Sequence, residues 1–380
     1  MSSVRKVIGQ CVAVSLSMAV SQSVVAAPFA VEARSLGMGN VSVATSDIAT
    51  AAFANPAMLS FQDQREDFSF LVPAIGAYID DSDGVVDLVD AYQATSVPAD
   101  QAAILLQLAG KTVAPQVAVA TAIGFSGDTY SFALSARSDI SAAGSVFNVA
   151  GVLPNTCETT PPPCLKVLGV QTTEVGVSLA RNFEISDSKV SVGFTPKIIN
   201  VKSIFYEESL STVDSGSASI LNDANETDHG DLSTVDAGIV YEISESFQLG
   251  LVAKNLLTDE VTIGPGTQLG IDTELRAGLA YKSDFFTLGA DLDLSENDPA
   301  ISTSTAGKTR MLLMGAEFNA FDFAQLRVGM QKNMASGISD KAKEPLYTAG
   351  VGFWFGFHLD VSVISGTDTL GAFVQTGFRF

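Results

Sequence analysis

From residue 66 onward, apolar side chains recur at every second position, the period of a sheet with one apolar face. Val235, Ala237, Ile239, Tyr241 and Ile243 alternate with Asp236, Gly238, Val240 and Glu242, and Phe247, Leu249, Leu251 and Ala253 alternate with Gln248, Gly250, Val252 and Lys254. The same rhythm runs through residues 275–282 and 324–331. One face is greasy and the other is small or polar. These windows and weaker ones predict fourteen strands at about residues 66–79, 113–126, 129–141, 167–185, 188–206, 232–244, 246–258, 267–282, 285–295, 309–319, 322–334, 345–356, 358–365 and 369–380.

The connections alternate as well. Those at 80–112, 142–166, 207–231, 259–266, 296–308, 335–344 and 366–368 are mostly long, whereas Gly127-Asp128, Ser186-Asp187, Glu245, Ser283-Asp284, Ala320-Phe321 and Phe357 are tight turns. Long connections therefore gather at one end of the sheet and short turns at the other, the construction of a transmembrane antiparallel β-barrel with short periplasmic turns and longer external loops. An even strand number returns both termini to the short-turn end. Beyond the start of the chain no run of 18 apolar residues occurs, so a helical span is excluded on length.

That start reads as an export signal. Arg5 and Lys6 precede an apolar run from Val7 to Val20, and Val24 and Ala26 supply the small residues of a cleavage site after Ala26. The predicted organisation is a signal peptide over 1–26, an amino-terminal segment over 27–65 and an outer-membrane barrel over 66–380.

Composition narrows the function. Hydrophobic residues make up 47% and charged residues 17%, below the roughly 25% charge of soluble domains, and a formal charge of −21 repels phosphate backbones, so no nucleic-acid partner is expected. Twenty-three phenylalanines exclude a disordered chain. Cys157 and Cys164 flank Thr159-Thr160-Pro161-Pro162-Pro163, and in an oxidising envelope they are expected to pair, closing a small loop that contributes about 2–3 kcal/mol.

Strand cations Arg137, Lys197, Lys254, Arg276, Arg310, Arg327 and Arg379 fall mostly on the polar face, pointing to the lumen and to partners among Glu242, Asp291, Asp293 and Glu317. Phe285, Phe286, Phe353, Trp354, Phe355 and Phe357 read as an aromatic girdle at a membrane interface. In the last strand Ala372, Val374, Thr376, Phe378 and Phe380 share a face, and an ending on Phe380 resembles the recognition strand read by the bacterial barrel-assembly machinery. Loop acids at Asp80-Asp81-Ser82-Asp83, Glu207-Glu208, Asp223, Glu226, Asp228 and Asp231 lack a calcium-loop pattern and read as solvated charge, so neither metal nor cofactor is expected. His229 and His358 are the two histidines, and neither sits in a nucleophile, metal or phosphate motif. No catalytic residue and no enzyme activity are assigned.

Residues 27–65 do not alternate. Gly37 and Gly39 permit tight turns, and Asp47 is positioned to cap a short helix over 48–54 that Asn55-Pro56 ends. The string Ala33-Arg34-Ser35-Leu36-Gly37-Met38-Gly39, followed by Asp47 and Asn55-Pro56-Ala57, resembles the start of the conjugal-transfer TraF-like outer-membrane proteins, which are similar to FadL-type transporters of fatty acids and hydrocarbons. The resemblance implies that residues 27–62 fold into the lumen as a hatch.

In the first long connection, Val85, Leu88, Val89 and Tyr92 share a helical face, and Pro98-Ala99-Asp100 opens a second helix carrying Ile104, Leu105 and Leu108. These faces pack on the barrel rim or present an apolar groove, the capture site that the FadL-type resemblance implies. The expected function is passive uptake of a hydrophobic or amphipathic small molecule, the alternative a structural or assembly role in the envelope tied to plasmid transfer. Expected partners are outer-membrane lipid and lipopolysaccharide, the barrel-assembly machinery and a hydrophobic ligand.

Overall fold

The structure, a computed structural model, describes residues 32–61, 67–81, 83–108, 111, 113–147, 164–185, 188–209, 225–257, 261–264, 267–269, 271–297, 308–321, 323–338 and 340–379. Fourteen antiparallel strands form a closed barrel: β1 Phe68–Asp80, β2 Ala114–Phe125, β3 Tyr130–Phe147, β4 Cys164–Ile185, β5 Ser188–Ser209, β6 Asn225–Ser244, β7 Phe247–Lys254, β8 Glu274–Lys282, β9 Phe286–Asp293, β10 Met311–Phe321, β11 Ala324–Asn333, β12 Leu346–Trp354, β13 His358–Ser365 and β14 Thr369–Arg379. Each pairs with its sequence neighbour, and β1 closes the cylinder by pairing with β14 from Ser69 opposite Arg379 to Asp80 opposite Thr369.

The alternation has a direct physical outcome. Ile75, Val177, Leu179, Ile198, Ile239 and Leu288 point outward and are exposed, while their chain neighbours are buried or face inward. A continuous exposed apolar wall of this kind needs lipid around it. Rings collect at its short-turn end, where Phe125 stacks on Phe132 with centroids 4.7 Å apart, Phe286 meets Phe318, and Phe357 meets Phe378. Trp354 departs from the expected girdle. It pairs in register with the buried His358 and lies against its ring at 4.1 Å, at the inner edge of the same end.

Four strands overrun their expected bounds by three residues or more. The described part of β3 continues to Phe147, β4 begins at Cys164, β5 runs to Ser209 and β6 begins at Asn225. These extensions stand above the lipid belt, where no alternation is required, and polar cross-strand contacts hold them instead: Asn200 to Asp231 at 2.9 Å, Lys202 to Glu226 at 3.5 Å and Ser203 to His229 at 2.8 Å. In the opposite sense β7 ends at Lys254, because Asn255 takes a left-handed conformation (φ 55°) while its backbone N–H donates to the Asp236 carboxylate. Thr267–Leu269, expected to start the eighth strand, instead pairs with Val261–Gly264 of the preceding connection in a separate two-stranded ribbon.

The segment 32–61 lies inside the cylinder and is buried from Glu32 through Phe61, apart from a partly covered Arg34. It carries helix α1 (Ala33–Gly37), a single turn α2 (Ile48–Ala51) and a 3-10 turn (Pro56–Ser60). Asp47 caps α2, accepting from the Thr50 backbone N–H at 3.0 Å while Thr50 Oγ1 accepts from the Asp47 N–H. Asn55-Pro56 does more than end that helix, since Asn55 Oδ1 accepts from the Ala57 N–H and opens the 3-10 turn. Over the other end, α3 (Val85–Ala94) and α4 (Pro98–Leu108) occupy the first long connection. The signal peptide, Cys157 and Phe380 lie outside the described residues, so the expected Cys157–Cys164 bridge does too.

Candidate functional site

The lumen is a fitted seat. Glycines replace side chains at many inward positions where the inner segment touches the wall, and several adjoin one another across strands: Gly193 pairs with Gly238, Gly250 with Gly278, and Gly289 with Gly315 and then Gly329. A Cβ built on Gly315 would lie 2.0 Å from the Met38 carbonyl oxygen, one on Gly329 2.1 Å from the Gly39 nitrogen, and one on Gly193 2.4 Å from the Pro56 carbonyl carbon. The contact is reciprocal, because Gly39 has φ +70° and a Cβ there would meet the Met314 carbonyl at 2.5 Å. The inner backbone therefore lies flat on the bare backbone of the wall. Gly37 likewise sits against Ser362, Arg327 and Gly350.

A buried ionic network fixes α1. Arg34 donates to both Glu317 oxygens at 3.0 Å and to the Thr45 carbonyl at 2.7 Å, while Arg327 donates to Glu317 at 2.7 Å and to Asp360 at 2.5 Å. Two guanidiniums thus share one carboxylate. A second tie joins Asp47 to Arg379 of the last strand at 3.1 Å. Burial alone would raise the Asp47 carboxyl, but Arg379, Arg34 and the two Thr50 bonds outweigh it and hold the group at about 2.

Further polar side chains of the wall bind the inner segment, mostly at its backbone, which would otherwise carry orphaned polar groups. Thr348 accepts from the Gly39 N–H at 2.9 Å and donates to the Gly37 carbonyl at 3.1 Å, Ser191 donates to the Ala57 carbonyl at 2.6 Å, and Ser60 donates to Ser131 at 2.7 Å. Gln248 reaches the Ala44 carbonyl, Lys254 the Phe53 carbonyl and Ser362 the Ala33 carbonyl. Asn55 donates to the Val43 carbonyl at 2.9 Å, tying two parts of the inner segment together.

Of the expected lumen pairs, Arg276–Asp293 (2.5 Å) and Arg327–Glu317 form. Among the described residues Asp291 meets no cation as its direct partner and instead receives the backbone N–H groups of Ser42 (2.8 Å) and Val43 (3.0 Å). Arg137 binds Asp139, and Lys197 bridges Glu174 and Asp236. Arg137 also faces Glu174, and Lys254 faces Glu274, in register on adjacent strands, so charge alternates around this side of the lumen.

Apolar clusters flank that polar band. Phe53 and Ala49 of the inner segment pack on Leu71, Ala74, Ala118, Ala120 and Ala122. Leu71 and Ala74 bracket Val72-Pro73, where the ladder of β1 loses register against both β2 and β14. Pro73 has no N–H to donate, and Thr121 Oγ1 takes the Leu71 carbonyl at 2.8 Å. On the taller wall Ala143, Val170, Ile199 and Val201 form a second buried cluster. In the loop helices Val85, Val89, Tyr92 and Leu108 are buried and Leu88, Ile104 and Leu105 half-buried, so these faces are largely occupied by packing on one another and on the rim. The exposed large apolar side chains there are Val97 and Leu106.

Sequence reasoning missed Arg34 as an anchor and missed Asp360, Thr348, Ser191 and Ser362 entirely. Their available signal was position, because the wall residues all fall on the inward register beside glycines.

The sequence matches no curated protein. Among solved structures the fold is similar to a Pseudomonas aeruginosa FadL homologue (TM-score 0.55, 12% identity, 94% of this chain and 99% of that one). It is also similar to the Ralstonia pickettii toluene transporter TbuX (0.53, 12%, 91% and 97%) and the Pseudomonas putida toluene transporter TodX (0.51, 12%, 95% and 98%). At this identity the likeness concerns the barrel architecture. The model of the family described as "F plasmid transfer operon, TraF, protein" matches residues 52–293, from within the inner segment through nine of the fourteen strands. Spanning more than half of the sequence, that match makes this chain a member of the TraF family of the F plasmid transfer operon.

Proposed function

We propose that the protein is an outer-membrane channel for passive uptake of hydrophobic or amphipathic small molecules, held closed by residues 32–61 acting as a plug. The observation that carries this reading is the seat: a wall bared to glycine at successive points along the plug's path and a plug tied to it elsewhere by side-chain contacts rather than covalently. Such an arrangement closes a lumen without filling it permanently. The fold likeness to hydrocarbon transporters supports the same reading. Passage then requires the plug to shift or the wall to open, and the interruption at Val72-Pro73, backed by Phe53 and small alanines, is where an apolar molecule would meet the weakest ladder.

The exposed side of the loop helices, where Val97 and Leu106 stand clear of the packed faces, is assigned to capture at the mouth. Deleting residues 80–112 is expected to lower uptake of a radiolabelled hydrophobic compound into intact cells severalfold while the barrel still assembles. Unchanged uptake would remove the loop from the pathway.

The family's description favours a second reading, a structural or assembly component of the envelope linked to plasmid transfer. It expects protein partners and no cargo. Co-purification with transfer-apparatus proteins, together with normal uptake in a deletion strain, would select it over the channel.

A further inference from the structure

On the outside of the barrel, at β8–β11, a groove of about 580 Å³ indents the lipid-facing wall. Leu279, Ala290, Met314, Ala316, Val328 and Met330 line it. It exists because Ala290 and Ala316 present only methyl groups between larger neighbours, while Gly289, Gly315 and Gly329 give their side-chain space to the plug behind. Its short-turn end closes on the rings of Phe247 and Tyr281.

Two cations stand at the other end. Lys332 continues the outward row of Val328 and Met330, pairs in register with Leu312, and makes no ion pair among the described residues. Arg310 lies one row higher, opposite Met334, with its Nε on the Asp293 carbonyl. Glu296, a carboxylate of that rim, is engaged by the Ser336 N–H and hydroxyl at 3.0 and 2.9 Å. In a chain of net charge −21, an apolar groove topped by cations at the edge of the lipid belt selects an anionic lipid with its head toward the long loops.

We propose that this face binds a phosphorylated acyl glycolipid of the lipid A kind, one acyl chain in the groove and a phosphate at Lys332 and Arg310. The assignment rests on the outer-membrane location proposed above, which puts the long loops and these cations in the outer leaflet. A phospholipid of the opposite leaflet would place its phosphate beside Phe247 and Tyr281, where the groove offers rings.

The full chain in detergent is incubated in turn with bis-phosphorylated lipid A, its dephosphorylated form and phosphatidylglycerol, and bound lipid is counted by native mass spectrometry. One retained lipid A per chain is expected. Lys332→Gln and Arg310→Gln should each weaken retention roughly five-fold, and Ala316→Phe should weaken it by filling the groove, with heat-modifiable gel migration certifying that each variant is folded. Equal retention of phosphatidylglycerol, an unchanged Lys332→Gln/Arg310→Gln variant, or a groove sealed by a second copy of the chain would overturn the site. Recovery of the native protein outside the outer membrane would overturn the location on which both readings depend. Loss of lipid A selectivity with that location intact overturns the site alone.

Discussion

Replacing Gly315 with valine should turn a sealed cylinder into a conducting one. The added Cβ would sit 2.0 Å from the Met38 carbonyl oxygen and 2.6 Å from its carbonyl carbon, and both are backbone atoms that no rotamer change can move. Overpacking of this kind costs about 1–3 kcal/mol even where neighbours relax. Here relaxation is limited, since the adjoining Gly39 already lies in the left-handed region against the Met314 and Met330 backbone. The barrel ladder does not need Gly315 as such, so the strain falls on the plug and the plug leaves its seat. In planar bilayers the variant is expected to conduct well above the wild-type level. Ala316→Val, one residue along and facing outward, should not. Wild-type conductance in a correctly assembled Gly315→Val barrel would show that the plug re-seats elsewhere.

Glu317→Gln should have the next largest effect. Its carboxylate accepts from Arg34 and Arg327 together, so removing the charge leaves two buried guanidiniums undercompensated, and breaking a buried pair in this way costs about 3–5 kcal/mol. Arg34→Met is expected to cost less, because Glu317 keeps Arg327 and Arg327 keeps Asp360. Cleavage of the plug by a protease added from the short-turn side reads the difference. Glu317→Gln should be cut markedly faster than Arg34→Met, and equal rates would separate this network from plug retention.

The strands were legible because the lipid belt enforces alternation at every outward position. All fourteen expected windows overlap an observed strand. Where lipid stops, the signal stops: Asn225 to Asp231 reads as loop yet pairs with β5 through Asn200, Lys202 and Ser203. Strand β7 looked longer than it is because Asn255 gives no hint in the pattern of its left-handed backbone. The site was less legible. Gly238, Gly250, Gly278 and Gly329 were visible on the inward face as small residues, but their purpose depends on the plug, which contributes no periodicity of its own. The Arg34–Glu317 contact joins residues far apart in sequence, and Arg327–Asp360 exists only once three strands are in register. Asp291 was expected to meet a cation, and backbone N–H groups of the plug take that place, a partner no side-chain pattern reveals.

The central claim is that residues 32–61 sit inside the wall in this register, and Ser60 with Ser131 tests it most directly. Their hydroxyls meet at 2.7 Å between the plug and β3, close to the reach of a disulfide. The variant Ser60→Cys/Ser131→Cys, isolated from native membranes, is expected to form that bond spontaneously, detected as a cross-linked peptide by mass spectrometry. Two free thiols in an assembled barrel, with the residue-60 thiol open to a water-soluble maleimide, would contradict it.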